Sequence, residues 1–331
     1  MTRSAAVGRH RGAVALRRAI AAALLASTAC TPTSRVEVAS ELPAGTTSRF
    51  RVFVLGRAQD GGMPHVGCDR ACCAAARRGG RRETPACLGV QDRESGSLLL
   101  LEATPAVEEQ LARLHALAGS AARGRAPVDG VLLTHAHIGH YLGLAHFGRE
   151  VAATRGLPVW VSTRMATFLR SNGPWRQLVD LGQIDLREFA PGARFAPLAG
   201  LEVEAIPVPH RDEFSDTMAF KLRGPRGSVL FLPDVDAWER HAGLLERLLE
   251  GVDVAYLDGT FFDGRELPER LRAEIPHPPM VDTMRRLRAF AAAHPGAVRF
   301  LHLNHTNPVF ADSGLLQPGF ALARVGEAVD L

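Results

Sequence analysis

Ten consecutive residues constrain this chain most: Val131-Leu-Leu-Thr-His-Ala-His-Ile-Gly-His140, an apolar strand that runs straight into three histidines. Side chains at i and i+2 of an extended segment share a face, so His135 and His137 can converge on one cation where the strand ends. His140, on the following turn, can face a neighbouring cation. A surface histidine cluster in a loop is the plainer alternative, and the apolar strand feeding the cluster argues against it. The segment reads as a metal site with one ligand missing.

The pattern of apolar strand followed by a donor recurs. His210 ends Val203-Glu-Ala-Ile-Pro-Val-Pro-His210, Asp234 ends Val229-Leu-Phe-Leu-Pro-Asp234, and His305 ends Phe300-Leu-His-Leu-Asn-His305. Any one alone reads as a buried, hydrogen-bonded histidine or an aspartate capping a turn. Together, at strand ends where loops gather around a rigid scaffold, they point to one site.

Apolar runs predict strands at 50–56, 97–103, 128–134, 158–162, 201–209, 217–222, 228–232, 252–257 and 298–303. Helical periodicity covers 105–118, 141–154, 164–181 with a break at Asn172-Gly-Pro174, 236–249 and 281–293. No long linker or repeat interrupts them. Strands grouped in each half, with helices interspersed, predict one α/β (α+β) domain over 50–331, its two sheets face to face and covered by helices.

A formal net charge of +4 invites a polyanionic partner until its location is considered. Residues 1–29 hold Arg3, Arg9, Arg11, Arg17 and Arg18 and no acid, so without them the charge falls from +4 to −1. A near-neutral body gives no basis for nucleic-acid binding. The leader itself, with Arg17-Arg18, an apolar run Ala19–Ala26 and small residues before Cys30, has the pattern of an export signal. Its apolar run is shorter than the roughly 20 residues that span a bilayer. Cys30 resembles a lipoprotein cysteine, which predicts a periplasmic or membrane-anchored protein tethered through a lipidated Cys30. Plain cleavage after Ala29 and a cytoplasmic enzyme with a misassigned start are the alternatives. Residues 30–49, rich in Thr, Ser, Pro and Ala, read as a flexible tether.

Cys68, Cys72, Cys73 and Cys87 crowd into a Gly- and Arg-rich stretch after the first strand. A structural zinc site, disulfides and inert thiols all stay open here, because the adjacent Cys72-Cys73 pair is awkward for one ion and an exported protein favours disulfides.

In the order of its donors the chain resembles the metallo-β-lactamase superfamily, whose αββα sandwich binds one or two metals. The motif His-x-His-x-Asp-His falls on His135, His137, Gly139 and His140, and the later ligands on His210, Asp234 and His305. Within the superfamily the likeness is to pyrroloquinoline quinone biosynthesis protein B and its relatives. It is carried by Val54-Leu-Gly-Arg-Ala-Gln-Asp-Gly-Gly-Met-Pro64, Asp258-Gly-Thr-Phe-Phe262, His277-Pro278 and Leu303-Asn-His-Thr-Asn-Pro308. The resemblance implies a first metal on His135, His137 and His210, with Asp234 bridging to a second metal faced by His140 and His305. Gly139 departs from the pattern, since glycine replaces the aspartate that binds the second metal. One ion or a loosened pair is the expectation, with Gly139→Asp raising second-site occupancy.

The resemblance further implies a hydrolase of a small-molecule ester, phosphodiester or amide-type substrate, using Zn2+ (one or two) or Fe2+. Hydroxide generated on the ion attacks, with Asp234 in the catalytic set and His277 as general acid. Asp212, Asp216 and Asp258 are expected to fix histidine tautomers. A non-haem iron oxygenase and a catalytically silent metal-binding protein are the competing classes. True β-lactamase activity is disfavoured by Gly139, and transfer-RNA processing by the neutral body. Residues 164–183 and 261–272 are expected to line the pocket.

Overall fold

The computed structural model describes residues 47–331 apart from 122, 269 and 271–273. The expected export signal, the tether and Cys30 lie outside the described residues. Among the described residues no helix is long and apolar enough to cross a membrane.

Two seven-stranded sheets form the scaffold. The first runs, in spatial order, β14 (Ala328–Asp330), β1 (Phe50–Gly56), β2 (Cys87–Asp92), β3 (Leu98–Leu101), β4 (Gly130–Leu132), β5 (Leu157–Ser162) and β6 (Ile184–Phe189). The second runs β13 (Phe320–Leu322), β12 (Val298–Leu301), β11 (Val254–Asp258), β10 (Ser228–Leu232), β9 (Thr217–Arg223), β8 (Leu201–Val208) and β7 (Arg194–Leu198). Each sheet is antiparallel through one half and parallel through the other, β3 to β6 and β10 to β13 being the parallel runs.

Period-two alternation sorts the side chains. Val52, Val54, Leu99 and Leu101 of the first sheet meet Phe220, Leu222, Val229 and Phe231 of the second in one core between the sheets. Phe53, Leu55, Leu98 and Leu100 point the other way, onto Val107 and Leu114 of α2 (Val107–Ala118) and onto Met165 and Leu169 of the helix Thr163–Ser171. Leu230, Leu232, Ala255 and Leu257 do the same on the second sheet, under Leu245, Leu248, Met280 and Met284. Covered faces on both sides explain why every residue of Leu98–Leu101 is buried. The expected αββα sandwich is the fold.

Helix lengths differ from expectation. In place of one helix over 141–154 stand a short helix that begins within the histidine motif (Ile138–Tyr141) and a 3-10 helix (Leu142–Phe147). The long last helix is two pieces, Met280–Arg286 and Arg288–Ala293. The break expected at Asn172-Gly-Pro174 is present, between Thr163–Ser171 and Trp175–Asp180.

Asp92, at the end of β2, ties the sheet to the chain entering β1. Its carboxylate accepts from Arg49 Nε (3.0 Å) and Nη2 (2.9 Å), the Glu94 amide (3.0 Å) and Ser95 Oγ (2.9 Å). The Arg49 hydrogen bonds hold its pKa down at about 2. A depressed carboxylate stabilises the fold above its unfolded pKa of about 3.9, and that contribution is lost as pH falls through the folded value. Asp92→Asn is therefore expected to cost about 2 kcal/mol at pH 7. The deficit should shrink between about pH 4 and pH 2, as read from urea midpoints. Equal midpoints at pH 7 would remove Asp92 from the account.

Candidate metal centre

The parallel strands deliver the donors at their carboxyl ends. Beyond β4 come His135, His137 and His140, beyond β10 Asp234, beyond β11 Thr260 and beyond β12 His302, while the β8–β9 connection supplies His210. Three imidazole nitrogens face one another: His135 Nε2 is 2.9 Å from His137 Nδ1, which is 3.2 Å from His210 Nε2. Asp234 Oδ2 is 3.3 Å from His135 Nε2. Ligands 2.0–2.1 Å from one tetrahedral cation stand about 3.3 Å apart, so these spacings suit a shared ion.

A second set adjoins the first. Asp234 Oδ2 is also 2.9 Å from His140 Nε2 and 3.4 Å from His302 Nε2. Asp60 Oδ1 lies 3.3 Å from His140 Nε2 and 3.6 Å from His302 Nε2. Asp60 Oδ1, Asp234 Oδ1, His302 Nε2 and both His140 nitrogens are buried without a hydrogen-bond partner. Orphaned polar atoms are costly in a protein interior, and inward-facing donors of this kind fit a metal ion.

Outer partners fix the rings. Thr134 Oγ1 sits 2.8 Å from His135 Nδ1 and donates to Glu102 Oε1 at 2.5 Å. His210 Nδ1 meets Asp236 at 3.2 Å, and His137 Nε2 meets Glu213 at 2.9 Å. His302 Nδ1 is 3.0 Å from Thr260 Oγ1. Burial, then the nearby His140, holds His135 well below its ordinary pKa, in the neutral form that ligates metals. His277 Nδ1 donates to Asp258 Oδ2 at 2.7 Å and lies 3.5 Å from Asp234 Oδ1. Burial opposes its charge, but the carboxylates of Asp258, Asp234 and Asp60 raise its pKa to about 9.

A separate cluster lies under the first loop. Cys68, Cys72 and Cys73 place their sulfurs 3.7, 3.7 and 3.4 Å from His305 Nδ1. Zinc bonds of about 2.3 Å to sulfur and 2.05 Å to nitrogen put S and N about 3.6 Å apart, so this is a closed tetrahedral set. Cys72 and Cys73 share the first turn of α1 (Ala71–Arg78).

Several sequence expectations need correction. His305 is not with His140 and Asp234: it belongs to the thiol cluster, and His302 stands in its place. His302 has φ +60, a left-handed backbone that breaks the alternation just after β12. Adjacent cysteines are no obstacle, since Cys72 and Cys73 both reach His305. Cys68, Cys72, Cys73 and Cys87 are all free thiols, not disulfides. Cys87 is apart from the cluster, buried in β2, with its thiol against the Leu88 and Glu102 carbonyls. Asp258 does orient a histidine, but Asp212 accepts from Thr217 and Asp216 from Ser162. Asp236 and Glu213 orient His210 and His137 instead. Of the expected pocket-lining segments, Trp175 packs on Tyr141 and Phe261 on His277, and residues 269 and 271–273 lie outside the described residues.

A family model for the beta-lactamase superfamily domain matches residues 98–303. The chain belongs to the metallo-β-lactamase superfamily. Among curated members of this superfamily, it is 27 % identical over 292 residues to coenzyme PQQ synthesis protein B of Methylobacterium nodulans, covering 80 % of this chain and 92 % of that one. It is 26 % identical over 286 residues to the Rhizobium meliloti protein of the same name, covering 80 % and 91 %. Among solved structures of the fold, zinc-bound PqqB from Methylobacterium extorquens matches with TM-score 0.65 and 20 % identity over 85 % of this chain and all of that one. A diphosphatase of the PhnP family matches with TM-score 0.60 and 18 % identity, over 85 % and 96 %. This metallo-β-lactamase-fold protein thus carries the superfamily's scaffold with His/Asp clusters suited to metals.

Proposed function

We propose that this protein is a metal-dependent hydrolase of a small-molecule ester, phosphodiester or amide-type substrate. One observation carries the reading: Asp234 Oδ2 stands 3.3 Å from His135 Nε2 and 2.9 Å from His140 Nε2, a single buried oxygen shared by two sets of imidazoles. A divalent cation held there would lower the pKa of water towards about 7 and polarise the scissile bond. His135, His137, His210 and Asp234 would hold one ion. Glu102 through Thr134, Asp236 and Glu213 keep the three rings in their ligating orientations.

His277 hands a proton to the leaving group. Its Nδ1 is committed to Asp258, which leaves Nε2 as the nitrogen for substrate. Ile138 and Phe214, 54 % and 57 % exposed, adjoin His137 and its partner Glu213 in the chain. Zinc is the proposed ion for the thiol cluster, a role supported by its donor set of three sulfurs and one imidazole nitrogen.

Protein purified without added metal is expected to contain zinc and to hydrolyse a member of an ester, lactam and phosphodiester panel. Chelation should abolish that turnover and zinc should restore it. Fully loaded protein that hydrolyses none of them would sink the reading. Iron at the centre with oxygen consumption would replace it by the competing reading, a non-haem iron oxygenase.

A further inference from the structure

We propose that Asp60, from the loop after β1, supplies the second-site carboxylate that this chain lacks at position 139. The inference rests on the metal-centre reading above. A Cβ built on Gly139 would lie 2.0 Å from Asp60 Oδ1 and 2.6 Å from Asp60 Cα, so the loop occupies the space that a side chain at 139 would need. Glycine at 139 and aspartate at 60 are thus two sides of one exchange.

The loop is built to hold that position. The Gln59 amide donates to the Leu303 carbonyl at 2.8 Å and the Leu303 amide to the Arg57 carbonyl at 2.9 Å, which straps the loop to the chain beside His302. A tight turn, Gly62 amide to Gln59 carbonyl at 2.7 Å, then aims Asp60 inward. Although the side chain is 41 % exposed, its Oδ1 is buried without a hydrogen-bond partner, within 3.6 Å of both His140 and His302. Asp60, His140, Asp234 and His302 form a four-donor set distinct from the one around His135. A partly exposed carboxylate with one buried oxygen turned to two imidazoles has the disposition of a cation ligand.

Restoring the aspartate at 139 then has the opposite effect to the one its absence suggests. With Asp60 in place, Gly139→Asp forces the strapped loop away and loses the second ion.

The test is a metal count by plasma mass spectrometry on full-length protein equilibrated with zinc, for wild type, Asp60→Asn, Asp60→Glu and Gly139→Asp. Asp60→Asn keeps the shape and removes the charge. It is expected to weaken the last-bound zinc by more than the roughly 10–100-fold that outer-shell changes cost, so that the count drops by one. Asp60→Glu should retain part of that zinc, and Gly139→Asp should bind less than wild type. In parallel samples loaded with cobalt instead of zinc, the thiolate absorption from the cysteine cluster should be unchanged throughout, which shows that the fold around α1 is intact. An unchanged count in Asp60→Asn, or a higher one in Gly139→Asp, would overturn the proposal. The count does not depend on turnover: two ions at the centre, lost on Asp60→Asn, in a protein that hydrolyses nothing would support Asp60 and reject the hydrolase.

Discussion

Asp234→Ala is expected to strip both halves of the metal centre at once. Its Oδ2 stands close to His135 and His140 together, at 3.3 and 2.9 Å, and the side chain is 3 % exposed. Without it three imidazoles remain around one position, and His140, His302 and Asp60 around the other. The loss in affinity should exceed the roughly 10–100-fold typical of outer-shell partners at each position. Hydrolysis should then fall to background. A ligand at about 1,000 times its Kd stabilises the folded state by about 4 kcal/mol, so saturating zinc should raise the melting temperature of wild type more than that of the variant. In chelator the two should melt alike. Unchanged metal content in Asp234→Ala would remove this centre from the protein's chemistry.

His277→Ala should leave the metal content alone and reduce kcat by about 10²–10⁴-fold for substrates with poor leaving groups, the usual range for a general acid. Substrates whose leaving group departs as a stable anion need no proton, so for them the loss should be small. That contrast separates proton donation from metal ligation, which matters because His277 Nδ1 is 3.5 Å from Asp234 Oδ1. Asp258→Asn should share part of the defect by loosening the 2.7 Å bond that orients the ring. An equal loss for good and poor leaving groups would assign His277 a structural role.

Much of the site is legible in the chain because its signals are local. Val131–Leu133 followed by His135 and His137, and Val229–Leu232 followed by Asp234, each place a donor just beyond an apolar strand, and alternation then aims it. His302 escapes that logic. Val298 and Phe300 face the helix layer and Leu301 the inner core, so an uninterrupted strand would turn residue 302 to the helices and 303 inward. The left-handed backbone at His302 reverses the parity: Leu303 packs with the helices instead and the imidazole enters the metal centre. A non-glycine residue there costs about 1–3 kcal/mol, a strain common at functional sites and invisible to pattern reading. With the strand predicted over 298–303, His305 follows it by two residues, as Asp234 follows 228–232, so strand-end spacing favoured His305 and only the backbone at His302 overturns it.

The amino-acid sequence by itself determined the two-sheet scaffold and singled out His135, His137, His140, His210 and Asp234, which the fold brings together in clusters suited to a metal. Periodicity and strand-end chemistry are one-dimensional properties, and they suffice for that. Only the tertiary structure decided that Asp60 stands where Gly139 leaves room, that His302 and not His305 completes the second set, and that His305 joins Cys68, Cys72 and Cys73. Each of those pairings joins segments far apart in the chain, and the hydrogen bonds between Arg57–Gln59 and Leu303 help bring them together. Spacing along a chain carries no record of which loops meet; packing of the two sheets does.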